Sequence, residues 1–291
     1  MAPEIVRQLG RHSYYFEGCC GSAAVLFAKE PSEHEVVCDL HGALTNLAWC
    51  VQDEVKSAEL FHRLQCALYH DDIYKDSKEQ LELLEGSMLA LPQKASVAWA
   101  YHYFIASWMG RNGVAGTASV NYQIATRWTK GGGSGPLRFR NAVDSIPAWC
   151  DRLRNVHILR RDMFEVLDKI EDDKGVAIYI APPYRPGTLA GNSKYVHDFT
   201  GDAHQRLAVS LTRFKKARVV CSYYDSPELD KLYPPPKWTK LDCSRQKHLS
   251  VQNKRGMDRN STAPEVLLVN GEPVSGPPIL EPVVGNATLF G

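Results

Sequence analysis

The sequence predicts an α/β fold with a doubly wound sheet, and three observations lead to that prediction. Residues 13–17 have the character of a strand and precede a glycine-rich turn and the helical run 23–29. A second strand at 35–38 ends in Asp39, and an apolar strand at 176–180 follows much later. A strand, a glycine turn, a helix and a second strand that ends in an acid are typical of the first unit of a nucleotide-binding sheet.

Length, charge and cysteine content set the bounds of this prediction. The 291 residues fit one large α/β domain or a domain with a sizeable insertion. With 34 Lys and Arg against 33 Asp and Glu, net charge neither demands nor excludes a nucleic-acid partner. The eight cysteines form no CxxC pair, which suits reduced thiols. No apolar stretch is long enough to cross a membrane and no secretory leader is present, so we expect a soluble cytoplasmic protein.

The first half of the chain alternates between helical and loop-forming patterns. A short helix closes at Gly10, and apolar residues at helical spacing predict another helix over 42–51. Helical patterns continue over 56–91 and 96–109. Residues 110–140 are dense in Gly, Ser, Thr and Asn, which indicates hairpins and loops.

The second half restores the α/β pattern. A helix is predicted over 142–153 and a short strand over 156–159. After a long polar loop come a helix at 203–213 and a strand at 217–222. The last predicted elements are a closing pair of strands, 240–251 and 265–270.

The turn over residues 16–22 is the first candidate for ligand binding. Its glycines let the backbone approach a ligand closely, and the following helix N-terminus favours a carboxylate. The spacing does not match the dinucleotide pattern G-x-G-x-x-G, so an ordinary tight turn is the alternative.

Two acidic residues that follow strands are the next candidates. Asp39 can accept both ribose hydroxyls of a nucleoside cofactor, and Asp162 can accept from an adenine amine with Met163 beside the ring. The alternative for Asp39 is an N-cap or a solvated turn residue, and the alternative for Asp162 is the N-cap of a helix over 164–170. Because the carboxyl ends of parallel strands share one edge of a sheet, both acids and the turn are expected to lie together.

The order of these motifs has a counterpart in a known family. The stretches that carry the resemblance are Tyr15-Phe16-Glu17-Gly18-Cys19-Cys20-Gly21-Ser22, Val37-Cys38-Asp39-Leu40, Arg161-Asp162-Met163-Phe164 and Ile180-Ala181-Pro182-Pro183-Tyr184, with Tyr195, Phe199, His204 and Ser222-Tyr223 in support. Together they resemble the Dam-like S-adenosylmethionine-dependent adenine-N6 DNA methyltransferases, the class with alpha motif order. The resemblance covers roughly residues 2 to 270. It implies a Rossmann-like methyltransferase sheet with an inserted target-recognition domain, mainly helical with a hairpin.

The resemblance implies a cofactor site and a domain plan. The cofactor would be S-adenosyl-L-methionine, with S-adenosyl-L-homocysteine as product. The residues implied to bind it are Phe16, Glu17, Gly18, Cys19, Gly21, Ser22, Asp39, Leu40, Asp162 and Met163. The catalytic domain would comprise residues 1–52 and 153–270, the recognition domain 53–152, and an irregular tail 271–291. The family usually has a glycine-Lys element before its first helix, so either this contact is truncated here or it comes from elsewhere.

The resemblance also implies duplex DNA with a flipped adenine as the partner. Arginine pairs with guanine and asparagine with adenine in the major groove, and basic residues also suit phosphates. The residues expected to contact DNA are Arg111, Asn112, Asn121, Tyr122, Arg127, Lys130, Arg138 and Arg140, with a solvated basic loop as the alternative. We expect a monomer or weak dimer without a metal, in the cytoplasm of a bacterial or phage-infected cell.

The catalytic tetrapeptide departs from its family at one position. It comprises Ala181, Pro182, Pro183 and Tyr184, where the family has Asp-Pro-Pro-Tyr. In the family the target adenine is flipped out, Tyr184 would stack on it, and the Asp and the Pro182 carbonyl would accept from its amine. Ala181 therefore predicts an inactive copy, either engineered or a natural paralogue. A DNA-binding module without catalysis and an RNA adenine methyltransferase remain alternatives, as does a role in restriction-modification.

Overall fold

The strands of the molecule form one large sheet and one small ladder. The computed structural model describes residues 1–86, 95–110, 124–126, 134–183, 199–246 and 262–276. Its strands are β1 (Tyr14–Gly18), β2 (His34–Cys38), β3 (Val156–Leu159), β4 (Val176–Ile180), β5 (Arg218–Tyr224), β6 (Trp238–Asp242), β7 (Arg245–Gln246), β8 (Thr262–Ala263) and β9 (Glu265–Asn270). Seven of them form a sheet in the order β3-β2-β1-β4-β5-β9-β6, in which β9 runs antiparallel between β5 and β6. The α/β fold predicted from the sequence is confirmed.

Helices cover both faces of this sheet. They are α1 (Ala2–Leu9), α2 (Ala24–Ala28), α3 (Gly42–Gln52), α4 (Glu54–Gln65), α5 (Asp71–Gly86), α6 (Val97–Met109), α7 (Gly135–Asp144), α8 (Ile146–Leu153), α9 (Met163–Leu167), α10 (Gly201–Thr212) and α11 (Leu229–Leu232). Helices α1 to α8 share one hydrophobic core with one face of the sheet, and α9 to α11 cover the other face. Strand β4 is buried along its whole length because it is covered on both sides. None of the helices in the described ranges combines the length and apolar character needed to span a membrane.

The segment from Asp53 to Arg152 does not have a core of its own among the described residues. Its helices α4 to α8 contribute to the same hydrophobic cluster as β1, β2 and β4. Its role as a target-recognition domain therefore stays a prediction, and the described part of it is helical.

One predicted loop region is partly helical. The prediction of hairpins and loops over 110–140 is wrong from residue 135 onward, where α7 begins. Ser134 caps this helix through its Oγ, which accepts from the Leu137 amide at 3.4 Å, and Pro136 lies in the first turn. Phe139 is buried, so core packing outweighs the local density of glycine. Arg138 and Arg140 consequently lie on an exposed helix surface.

The closing pair of strands is present with different bounds. Strands β6 and β9 pair antiparallel, as predicted, but β6 starts at Trp238 and stops at Asp242. The Asp242 carboxylate accepts from the Ser244 amide at 2.8 Å, and this turn interrupts the strand. The rest of the predicted strand, beyond Gln246, lies outside the described residues.

A buried ion triad joins β2, α2 and α8. Glu35 is only 2% exposed. Its carboxylate accepts from Arg152 through two bonds of 2.5 and 2.9 Å and from Lys29 Nζ at 2.5 Å. Arg152 also donates to the Leu26 carbonyl at 2.9 Å. Burial alone would raise the pKa of Glu35, but the hydrogen bonds and charges of Arg152 and Lys29 outweigh it and lower that pKa.

Replacing Arg152 with leucine tests the importance of this triad. The variant leaves a buried carboxylate with one cation fewer and a carbonyl without its donor, so the free energy of unfolding should fall by about 3–5 kcal/mol. The matched control is Arg154→Leu, since Arg154 pairs with Asp151 on the surface at 3.1 Å. This substitution should lower the free energy of unfolding by less than about 1 kcal/mol. Urea unfolding followed by circular dichroism measures both, and equal losses in the two variants would contradict a special role for the triad.

Candidate active site

A cavity of about 410 Å³ lies at the carboxyl ends of β1, β2 and β4. Strand β1 pairs with β2 on one side and β4 on the other, so the cavity sits where the direction of strand order reverses. Ligands of open α/β sheets bind at such a point. The predicted site residues that line the cavity are Glu17, Cys19, Gly21, Ser22, Asp39, Leu40, Asp162, Met163, Ala181, Pro182 and Pro183.

Two of the predicted cofactor residues do not line the cavity. Phe16 is fully buried in the core on the opposite face of the sheet, because side chains alternate along a strand. Gly18 lies under the cavity at the end of β1, where an added Cβ would come within 2.7 Å of Ile180 Cδ1. Only a glycine fits at position 18 without displacing Ile180.

The turn between β1 and α2 is held in an uncommon backbone conformation. Cys19 and Ala23 have φ values of 53° and 49°, in the left-handed region that side chains rarely adopt. The turn closes through the Ala23 amide, which donates to the Cys20 carbonyl at 2.7 Å, and Cys20 donates to the Cys38 carbonyl at 3.1 Å. Strain of this kind persists only where surrounding structure enforces it, and it often accompanies ligand sites.

Asp39 connects the turn to helix α3. One carboxylate oxygen accepts from the Gly21 amide at 3.0 Å and the other from the His41 amide at 2.9 Å. The N-cap of α3 is His41, whose Nδ1 accepts from the Leu44 amide at 3.2 Å. The alternative of Asp39 as a helix cap is therefore wrong. Its carboxylate remains at the cavity wall and is partly exposed.

Asp162 caps a helix and also lines the cavity. Its Oδ1 accepts from the Phe164 amide at 3.0 Å and caps α9. Asp162 and the neighbouring Met163 also line the cavity, with Phe199 from the start of the next described segment. Met163 Sδ lies 3.5 Å from Cys19 Sγ. An apolar, sulfur-rich wall beside a carboxylate suits a heteroaromatic ring that carries an amine.

Glu17 forms part of the cavity floor and is 1% exposed. Its Oε2 accepts from the Tyr15 hydroxyl at 2.9 Å and from the Leu26 amide at 3.1 Å. Burial raises the pKa of Glu17 to about 7, although both hydrogen bonds and the charges of Lys29 and Arg152 oppose this rise. A carboxyl group with such a pKa can ionise when a cation enters the cavity.

The balance of charge along the cavity favours a cationic ligand. Three carboxyl-bearing residues, Glu17, Asp39 and Asp162, line it, against the guanidinium of Arg161 among the described lining residues. Within the described ranges, no group of three or more His, Cys, Asp or Glu side chains is arranged to hold a metal ion. A cofactor with a sulfonium and an ammonium group is complementary in charge to these carboxyl groups.

Ala181 stands at the rim of the cavity, directly after β4. Its amide donates to the Gly18 carbonyl at 3.3 Å, so the start of the tetrapeptide is tied to the turn after β1. Its side chain is a methyl group that packs on the core shared with the helices. The prolines that follow also line the cavity, and Tyr184 lies outside the described residues.

Sequence patterns alone did not identify several residues of the cavity wall. Among them are His41, Leu44, Tyr103 and Tyr179, which join the predicted residues in the lining. Tyr103 comes from α6, within the segment predicted to recognise DNA, and its ring centroid lies 5.5 Å from that of His41. Helical periodicity predicted α6 but not which of its aromatic residues would face this cavity, since that depends on how α6 packs on α3.

The described part of the predicted DNA-binding region is small. Arg138 and Arg140 are exposed on α7, and Arg140 donates to the Gln65 carbonyl at 3.3 Å. Gly110 and Ile124 form an isolated antiparallel bridge. The other predicted contacts lie outside the described residues: Arg111, Asn112, Asn121, Tyr122, Arg127 and Lys130.

Comparison with known proteins gives one family match. Residues 1–257 match the family described as D12 class N6 adenine-specific DNA methyltransferase, which is most of the chain. Among curated proteins the comparison found no match.

Replacing Glu17 with glutamine tests its ionisation. The folded-state pKa is raised from 4.5 to about 7, so the folded protein binds more protons than the unfolded chain between these values. The stability from this group is present at low pH and is lost as pH rises toward 7. Between pH 5 and pH 8, the free energy of unfolding of the chain with Glu17 should therefore fall by about 2–3 kcal/mol more than that of Glu17→Gln. Urea unfolding of both proteins at the two pH values measures this difference, and parallel pH profiles would rule out the raised pKa.

Proposed function

Because the chain belongs to the family of D12 class N6 adenine-specific DNA methyltransferases, we propose that its cavity binds cofactor beside a flipped adenine and that Ala181 suppresses methyl transfer. The family uses S-adenosylmethionine. The observation that carries the proposal is the position of Ala181. The methyl group of Ala181 lines the cavity directly after β4, and the resemblance puts the carboxylate that opens the family tetrapeptide at this position.

Several features of the cavity support the proposed cofactor site. The glycine turn presents backbone close to the cavity, as the methionine end of the cofactor requires. The Asp39 carboxylate is oriented by two amides and retains lone pairs for ribose hydroxyls. Asp162 and Met163 would hold the adenine of the cofactor, with the ring of Phe199 nearby. The acidic lining complements the positive charges of the cofactor.

The residues of the tetrapeptide would orient the target amine. When bound, the cofactor supplies an electrophilic methyl group on a sulfonium. The Pro182 carbonyl would accept a hydrogen bond from one N–H of the exocyclic amine, and a carboxylate at position 181 would accept a hydrogen bond from the other. The nitrogen–carbon bond would form as the sulfur–methyl bond breaks, with S-adenosylhomocysteine as the leaving group. Two acceptors fix the amine so that its nitrogen lone pair faces the methyl group, and the carboxylate also stabilises the positive charge that grows on nitrogen.

Ala181 removes one of these two acceptors. A charge-assisted hydrogen bond of this kind contributes about 1.5–3 kcal/mol. Loss of one group that acts in the transition state lowers rates by about 10²–10³-fold. The residues proposed for cofactor and DNA binding are other than Ala181, so binding of both ligands should persist while methyl transfer is slow or absent.

Ala181→Asp is the direct test of this proposal. We expect the variant to transfer labelled methyl groups from S-adenosylmethionine to adenine in duplex DNA of mixed sequence at least about 10²-fold faster than the unmodified chain. Ala181→Asn is the matched control, since it restores an acceptor of similar shape without the charge and should recover only part of the rate. Filter-binding assays of methylated DNA give both rates.

Three outcomes of that experiment would count against parts of the proposal. A variant that binds S-adenosylmethionine and DNA without methylating either strand would show that position 181 is not the missing carboxylate. Methylation of structured RNA in preference to duplex DNA would replace the proposed substrate. Rapid methylation by the unmodified chain would show that Ala181 does not suppress catalysis.

Asp39→Asn tests the proposed cofactor site independently of catalysis. Loss of the charge should weaken S-adenosylhomocysteine binding by about 10- to 100-fold, because hydrogen bonds to charged groups contribute about 1.5–3 kcal/mol. Asp53→Asn serves as the control, since Asp53 caps α4 with a similar hydrogen bond to the Lys56 amide away from the cavity. Isothermal titration calorimetry measures both affinities, and an unchanged affinity for Asp39→Asn would exclude Asp39 from the site.

A further inference from the structure

Glu17 is the most deeply buried of the three carboxyl-bearing residues that line the cavity. Asp39 and Asp162 are partly exposed, whereas Glu17 is 1% exposed. Its two hydrogen bonds, from the Tyr15 hydroxyl and the Leu26 amide, both end on Oε2. Within the described ranges no hydrogen bond reaches Oε1. This oxygen is therefore available to a ligand on the cavity floor.

The two cations behind Glu17 are paired with a different carboxylate. Lys29 Nζ and the Arg152 guanidinium each lie 2.5 Å from an oxygen of Glu35. In the part of the chain that the structure describes, neither of them forms an ion pair with Glu17. Without a ligand, an ionised Glu17 is consequently a buried charge that lacks a counter-ion, which desolvation makes unfavourable.

The other ionisable groups near Glu17 on β1, β2, β4 and the turn supply no positive charge. Burial raises the pKa of each of them, so they are protonated and neutral near pH 7. They are the hydroxyls of Tyr15 and Tyr179 and the thiols of Cys20 and Cys38. A positive charge at the cavity floor must therefore come from elsewhere.

Two basic residues of the cavity wall do not supply it either. His41 Nδ1 accepts from the Leu44 amide at 3.2 Å, and only a neutral imidazole ring has a nitrogen that can accept. Arg161 is exposed at the end of β3 and makes no ion pair with Glu17 among the described residues. A cationic ligand is thus the counter-ion that the floor lacks.

We propose that cofactor binding in this cavity releases one proton from Glu17, whose carboxylate then pairs with the ammonium group of the cofactor. This inference rests on the proposed function, in which the turn over residues 16–22 receives the methionine end of the cofactor. The O–H bond of the Glu17 carboxyl breaks and its proton passes to the solvent. The carboxylate then accepts hydrogen bonds from the ammonium, and no other covalent bond changes.

The direction of the pH dependence follows from this ionisation. Burial raises the pKa of Glu17 to about 7, and a cation held next to the carboxylate would lower it. Below pH 7, cofactor binding must therefore displace a proton. The affinity is expected to rise with pH and to level off once Glu17 is already ionised in the free protein.

The proton release can be measured with S-adenosylhomocysteine, which carries the ammonium group without the sulfonium. We titrate it calorimetrically into the full chain and expect its association constant to rise by about 10-fold from pH 5.5 to pH 7.5. At pH 6, titrations in two buffers of different ionisation enthalpy should show the release of about one proton. The control ligand is 5′-methylthioadenosine, which lacks the ammonium group and should bind without this pH dependence.

Two variants test whether Glu17 is the group that titrates. Glu17→Gln has no proton to release, so its affinity for S-adenosylhomocysteine should not change over this pH range. Tyr15→Phe removes the hydroxyl that donates to Glu17 but keeps the ring beside Lys29. Because that hydrogen bond lowers the pKa of Glu17, its loss should move the midpoint of the affinity profile to higher pH.

His41→Asn is the matched control, because asparagine can cap α3 without titrating. This variant should keep the pH profile of the unmodified chain. A profile that disappears in His41→Asn and is unchanged in Tyr15→Phe would assign the proton to His41 and overturn the inference. If Glu17→Gln does not fold, the shift in Tyr15→Phe decides.

The remaining outcomes separate this inference from the proposed function. A chain that binds no S-adenosylhomocysteine at any pH overturns both. Binding with an affinity that does not vary with pH overturns the inference alone. The same pH dependence for S-adenosylhomocysteine and 5′-methylthioadenosine also overturns it, because the ammonium group would then not be the partner of Glu17.

Discussion

The packing of the helices on the sheet depends on the buried ion pairs of the Glu35 carboxylate with Lys29 and Arg152. The partners of Glu35 come from α2, through Lys29, and from α8, through Arg152. The chain leaves the sheet after β2, passes through α3 to α8, and re-enters at β3, next to β2. Arg152, near the end of the helical segment α3 to α8, therefore binds to β2, the strand that precedes this segment. A buried charge that is fully paired is costly to disrupt, so this closure tolerates little alternative packing.

The same triad reaches the floor of the cavity through one aromatic ring. Lys29 Nζ lies 4.6 Å from the centre of the Tyr15 ring, and the Tyr15 hydroxyl donates to Glu17. The buried positive charges thus stand behind the carboxyl group that the cavity presents. Desolvation prevails over their attraction, because the pKa of Glu17 is still raised to about 7. Glu17 is therefore only partly ionised at neutral pH, and a cation in the cavity would favour its ionised form.

Local patterns in the sequence were sufficient for the sheet and for part of the site. Apolar runs predicted β3 and β4 with their observed bounds, and the acids after β2 and β3 were expected at one edge because parallel strands share it. Helix α7 was missed because glycine and serine around it outnumber its apolar positions, while its stability comes from burial of Phe139. Tyr103 was missed for a related reason. Which side of α6 faces the cavity is set by the packing of α6 on α3, a long-range contact that no local pattern contains.

Ala181 is tied to the turn after β1 by its backbone amide and not by its side chain, and this affects how the position can evolve. The amide of Ala181 bonds to the Gly18 carbonyl, and β4 ends there whatever side chain follows. The methyl group of Ala181 is only partly buried against the core, and the backbone bond to Gly18 does not depend on the side chain. Aspartate and alanine codons differ by a single nucleotide. Under the proposed function, one point mutation at this position would exchange a modifying enzyme for a form that binds the same DNA without methylating it, and a second would reverse the exchange.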